Sequence, residues 1–171
     1  MIGDTTPLAK LTLTNVDTAQ TVEMQFNPEE FRSQLTVNYS RKKVQGWSHE
    51  PLHYGGTGNR TFTLGLFFIG HGVSEVGSIE QARLFLESLC YASREGARSR
   101  RSPPTVLVIW PRFLAMNTKI VSHSDIVTRF NRIGQPTGFT VELGFEEALD
   151  TKLFSEDVAL QGYQRGGLGL E

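Results

Sequence analysis

The sequence predicts an α+β fold, mainly β, with about seven strands in curled sheets or a barrel and one flanking helix. Three observations carry this expectation. Apolar and polar residues alternate with a period of two in stretches spread from Ala9 to Glu146, as in half-buried strands. A single stretch, from Ser78 to Leu89, has helical spacing instead. Turn formers such as Asn27-Pro28, Gly55-Gly56 and Gly134 with Pro136 separate the alternating stretches.

The first strand has Ala9, Leu11 and Leu13 opposite Lys10, Thr12 and Thr14. Asn15 to Thr18 turn the chain into a second strand over Thr21–Phe26, where Val22, Met24 and Phe26 share a face. Asn27-Pro28 ends it, because proline has no amide hydrogen for a ladder and restricts the residue before it. Leu35, Val37 and Tyr39 make a third strand, and Phe62, Leu64, Leu66 and Phe68 a fourth. Thr105–Trp110 is apolar on both faces and reads as a central strand. Leu114, Met116, Thr118 and Ile120 give a less regular strand, and Phe139, Val141, Leu143 and Phe145 the clearest of all. The turn Asn131–Gly138 suits a hairpin leading into that last strand.

For the helix, Ser78 followed three residues later by Gln81 reads as a capping box. Ala82, Phe85, Leu86 and Leu89 then fall on one face. The segments Val44–Asn59 and Arg94–Pro104 read as loops. The alternation stops after Ala148, so residues 1–148 are expected to form one β domain and residues 149–171 a tail that packs on the body, docks on a neighbouring subunit or ring, or is partly disordered.

Composition removes several functional classes. With 17 basic and 18 acidic residues the net charge is −1, which does not suit a protein whose main partner is nucleic acid. Apolar residues are 39% and no run approaches the ~18 needed for a membrane span, so direct membrane insertion is not expected. The start, Met1 to Pro7, lacks a signal peptide's basic and apolar regions, so synthesis in the cytoplasm is expected. The single Cys90 excludes an intramolecular disulfide and, lying beside Leu89, reads as a core thiol.

Three stretches invite a chemical reading. His49-Glu50-Pro51-Leu52-His53 spells the zinc-protease pattern, whose chemistry needs both imidazoles on one helical face. Pro51 inside it and glycines on both sides leave no room for that helix, so a metal-dependent hydrolase using His49, Glu50 and His53 is kept only as an alternative. Gly55-Gly56-Thr57-Gly58 runs into a strand rather than a helix and lacks the lysine of a phosphate loop. Arg98, Arg100 and Arg101 belong to a basic cluster after the helix without interleaved aromatics, which fits a solvated loop or an electrostatic protein contact. No catalytic residues, cofactor or metal site is expected. Trp47, an aromatic among polar neighbours, is a candidate contact residue.

The order of these landmarks resembles a known family. A strand ends in Phe26-Asn27-Pro28-Glu29-Glu30-Phe31 and is followed by the extended Leu35–Tyr39 and a glycine-rich loop with aromatics. The strand Arg60-Thr61-Phe62-Thr63-Leu64-Gly65-Leu66-Phe67-Phe68, one helix, Pro103-Pro104 before Val106–Trp110, and the Phe139–Phe145 strand complete the series. Over residues 8–148 the chain is similar to the tube-like proteins of contractile injection systems, which are related to phage tail-tube proteins.

That resemblance implies a tail-tube-like β-barrel and a non-enzymatic subunit of a phage-tail-like particle. It further implies a hexameric ring of copies of this chain at the baseplate end of the inner tube, joining the spike or hub to the adjacent tube ring. Many such proteins carry a LysM module after the tube-like body, and residues 149–171 are too few for one. The expected assembly contacts are Phe26, Asn27, Pro28 and Phe31 in the first turn, Trp47 and Tyr54 in the glycine-rich loop, Arg98, Arg100 and Arg101 after the helix, and Phe154 and Tyr163 in the tail. A monomeric β-barrel binding module is the remaining alternative.

Overall fold

A computed structural model describes residues 9–70, 73–92, 102–149, 155 and 158. Among them lie nine strands and one helix: β1 Thr12–Asn15, β2 Thr21–Glu23, β3 Arg32–Gln34, β4 Val37–Arg41, β5 Leu52–Thr57, β6 Thr61–Ile69, α1 Val73–Ser88, β7 Val106–Trp110, β8 Leu114–Phe130 and β9 Pro136–Glu147. Seven strands form one sheet in the order β2-β1-β7-β8-β9-β6-β3, and β4 and β5 form a separate two-stranded ribbon. All pairings are antiparallel. The expected mainly-β fold with one flanking helix is the observed one.

The alternation seen in the sequence becomes a buried face. In β6, Phe62, Leu64, Leu66 and Phe68 are buried while Thr61, Thr63, Gly65 and Phe67 are exposed. Phe139, Val141, Leu143 and Phe145 of β9 join them, with Val106, Val108, Leu114, Met116, Leu11, Leu13 and Met24 from the other strands. Registered aromatic neighbours stack across the β6–β9 pair: Phe62 on Phe145 at 5.0 Å and Phe68 on Phe139 at 4.7 Å between ring centroids. The helix covers this face through Ile79 and Leu86, with Leu89 just past its end, and packs on β6 and β9. Gly70 permits the approach, because a Cβ there would run into the Ile79 side chain.

The sheet curls far enough for its two ends to meet. Five strand positions separate β2 from β6 in the order, yet Gln25, just past β2, hydrogen-bonds the main chain of Ile69 at the end of β6.

Three expectations are corrected. The helix begins at Val73, so Ser78 and Gln81 lie inside it and form no N-terminal capping box. The segment expected as a loop over Val44–Asn59 contains β5. The strand expected to stop near Ile120 continues to Phe130, with bulges between Ile120 and Ser122 and near Arg129 that bend it while keeping it paired to β9.

Candidate assembly surfaces

The turn after β2 is built by two side-chain amides. Gln25 Oε1 accepts from the Ile69 amide at 2.7 Å and Gln25 Nε2 donates to the Ile69 carbonyl at 2.7 Å. Two residues on, Asn27 Oδ1 accepts from the Leu11 amide at 2.9 Å and its Nδ2 donates to the Ala9 carbonyl at 2.8 Å. Each carboxamide thereby imitates a peptide group of a paired strand, one toward each end of the curled sheet. Pro28 is buried, and Phe31 packs on Phe62 at 5.2 Å and edge-on to Phe113 at 5.2 Å. Of the four contacts expected here, Asn27, Pro28 and Phe31 thus serve the subunit's own fold. Phe26 is 48% exposed, resting on Phe67 at 5.8 Å.

The β4–β5 ribbon is exposed along nearly its whole length, with no buried residue in either strand. Tyr39 meets Tyr54 edge-on at 6.0 Å, and the Tyr54 hydroxyl bonds that of Thr57 at 2.7 Å. Val37, Leu52 and both tyrosines face solvent. Trp47, in the connecting loop, is exposed and lies 5.5 Å from the His49 ring. A two-stranded hairpin with no covered face is marginal in water, so its apolar side chains are out of place unless something covers them. His53 lies in β5 and His49 in the loop before it, so the helical geometry of the zinc motif is not formed. Among the described residues no three metal-ligating side chains cluster.

A third surface was not foreseen. Beyond Thr118, where pairing with β7 ends, β8 continues for twelve residues with only β9 paired to it among the described residues. Among the described residues no strand pairs with its outer edge from there on. Val121, Ile126 and Phe130 are exposed along this stretch, and the hairpin tip adds Ile133. The stretch escaped notice because it carries polar residues on both faces, which erases the alternation that marks a strand. On the core side, Asp125 accepts a hydrogen bond from Arg83 of α1 at 2.8 Å. That bond holds the Asp125 carboxyl below its ordinary range and the guanidinium above its own. Burial near the end of the helix pushes the half-buried Cys90 thiol up, the opposite of what an activated nucleophile needs.

The expected contacts Arg98, Arg100, Arg101, Phe154 and Tyr163 lie outside the described residues. No helix among the described residues is long and apolar enough to cross a membrane.

A family model described as contractile injection system tube protein matches residues 8–155. No curated protein matches the chain. Among solved structures, the chain is similar to one in the virion of a native gene transfer agent particle, with a TM-score of 0.39, 14% identity, and 82% of this chain and 92% of that one covered. It is also similar to one in the tail of an empty gene transfer agent particle refined with C6 symmetry, with a TM-score of 0.42, 13% identity, and 86% and 96% covered.

Proposed function

Because the chain belongs to the contractile injection system tube protein family, we propose that it is a non-enzymatic ring subunit. Six copies close the ring at the baseplate end of the inner tube, joining spike or hub to the first tube ring. The observation that carries this reading is a pair of edges on opposite sides of one sheet that no described strand covers: β8 past Thr118 on one side, and β3 on the other. Unpaired edges of this length invite strand addition, and a heterologous contact repeated by rotation leaves no edge once it closes.

Strand direction supports the seam. Both β6 and β8 run antiparallel to β9, and β3 runs antiparallel to β6. In a rotational ring, β3 of one copy therefore meets β8 of the next in antiparallel sense, the arrangement used throughout the subunit. The exposed face of β8, β9, β6 and β3, bearing Ser122, Ser124 and Thr63, then lines the channel. The β4–β5 ribbon with Trp47 and Tyr54 reaches an adjacent ring, as do the basic segment with Arg98, Arg100 and Arg101 and the tail 149–171 with Phe154 and Tyr163.

Electron microscopy of particles from cells that make this protein tests the reading. Deleting the subunit is expected to abolish correctly based tubes, and normal sheathed particles without it would rule out the role.

A further inference from the structure

Hydrogen bonding along β6 shows which of its peptide groups face outward. The Arg60 carbonyl and the Gly70 amide bond to β9, whereas both groups of Ile69 bond Gln25 on the opposite side. Odd-numbered residues of β6 therefore point away from β9. Thr61 and Thr63 meet β3 and Ile69 meets Gln25, which leaves Gly65 and Phe67 without a backbone partner on that edge among the described residues. Here the chain from Phe26 to Glu30 bows away and leaves a groove of about 920 Å³. Its walls combine two exposed aromatics, Phe26 and Phe67, with the carboxylates of Glu29, Glu30 and Glu142. Glu30 is paired with Arg32 at 3.1 Å, whereas Glu29 and Glu142 have no ion pair among the described residues.

The tip of the β8–β9 hairpin has the complementary chemistry. Phe130 is 63% and Ile133 78% exposed, and Arg129 and Arg132 flank them without an ion pair among the described residues. The tip is held rigid: Asn131 Oδ1 accepts from the Ile133 amide at 3.0 Å and the Gln135 amide at 2.9 Å, and its Nδ2 donates to Gln135 Oε1 at 3.0 Å. A fixed loop that displays its apolar residues needs little further ordering when it binds.

We infer that the hairpin tip Arg129–Ile133 of one copy seats in the groove beneath the Phe26–Glu30 bow of the next copy. Phe130 and Ile133 cover Phe26 and Phe67, and Arg129 and Arg132 meet Glu29 and Glu142. The inference rests on the ring reading, which sets β8 of one copy beside β3 of its neighbour. Because β6 and β8 run in the same sense, the far end of β8 then arrives where the bow departs from β3.

The test is incorporation into particles by the full chain, counted as copies per particle by quantitative peptide mass spectrometry. Ile133→Asp, Arg132→Glu and Glu29→Arg are each expected to lower incorporation at least about tenfold, the scale of a lost interfacial charge pair or apolar anchor. The double variant Arg132→Glu with Glu29→Arg is expected to recover most of it. Melting temperatures of the purified variants should stay at the wild-type value, and Arg132→Gln replaces Arg132→Glu if that substitution alone lowers it. Wild-type incorporation by the single variants, or no recovery in the double variant, overturns the inference while leaving the ring intact. Imaging of wild-type particles separates the other failure: copies not arranged in a ring would remove the ring reading and this contact together.

Discussion

Gln25 and Asn27 each satisfy both a main-chain donor and a main-chain acceptor, so their loss should be felt according to how buried those partners are. Leu11 is fully buried, so its amide, which donates to Asn27, is shut off from bulk water. Asn27→Ala is therefore expected to cost about 1–3 kcal/mol, whereas Gln25→Ala, at an exposed edge, should cost about 1 kcal/mol or less. Urea denaturation of the two variants measures the difference. The Arg83–Asp125 pair gives a pH dependence with a definite sign. The Asp125 carboxyl is lowered in the folded state, so its contribution is present above the ordinary carboxylate range and is lost as pH falls through the folded value. Stability should fall more steeply below about pH 4 in the wild type than in Asp125→Asn, as thermal melts across that range would show.

Single elements differ in how far the sequence revealed them, and the difference follows burial. β6 and β9 were legible because one face of each is apolar and packed while the other carries threonine, glycine or glutamate at most positions, so the period of two is written in the residues. β5 was not, because Pro51 and Gly55-Gly56 have the composition of a loop and neither face meets the core. The helix start was misplaced because Ser78 and Gln81 imitate a cap within a helix that already includes Gly77. The assembly surfaces followed the same rule: exposed Trp47, Tyr54 and Phe26 stood out as aromatics, but the open edge of β8 has no compositional mark.

Burial also ranks the elements dynamically. Amides of the β4–β5 ribbon should exchange with solvent far faster than those of β6 and β9 in the isolated subunit, and the proposed ring predicts that they slow on assembly. Hydrogen exchange followed by mass spectrometry reads both states. At the hairpin tip, Gly134 has φ +82°, so Gly134→Ala should cost about 1–2 kcal/mol of tip rigidity, visible as faster exchange of the Ile133 and Gln135 amides.

Seen as a whole, the molecule is dominated by distant pairings. Thr12 of β1 faces Ile109 of β7, and β6 waits for β9 across the entire helical segment. Refolding should accordingly take milliseconds to seconds, the range of β-rich topologies, and stopped-flow dilution from urea would show it. Phe139→Ala, at the centre of the joined sheet, should cost about 3–5 kcal/mol and lower the melting temperature of the isolated subunit.

The place of β9 has one more consequence, for how the protein is made. Of the described strands it is the last to leave the ribosome, and it is also the strand that bonds β6 to β8. Without it the strand pairings fall into two groups, β2-β1-β7-β8 and β6-β3, with no strand to join them. At about 5–20 residues per second, β1 waits several seconds for β7, and β6 several more for β9. A chain cut short before Pro136 lacks the joining strand altogether, so only a chain that includes β9 can hold β8 and β6 in one sheet.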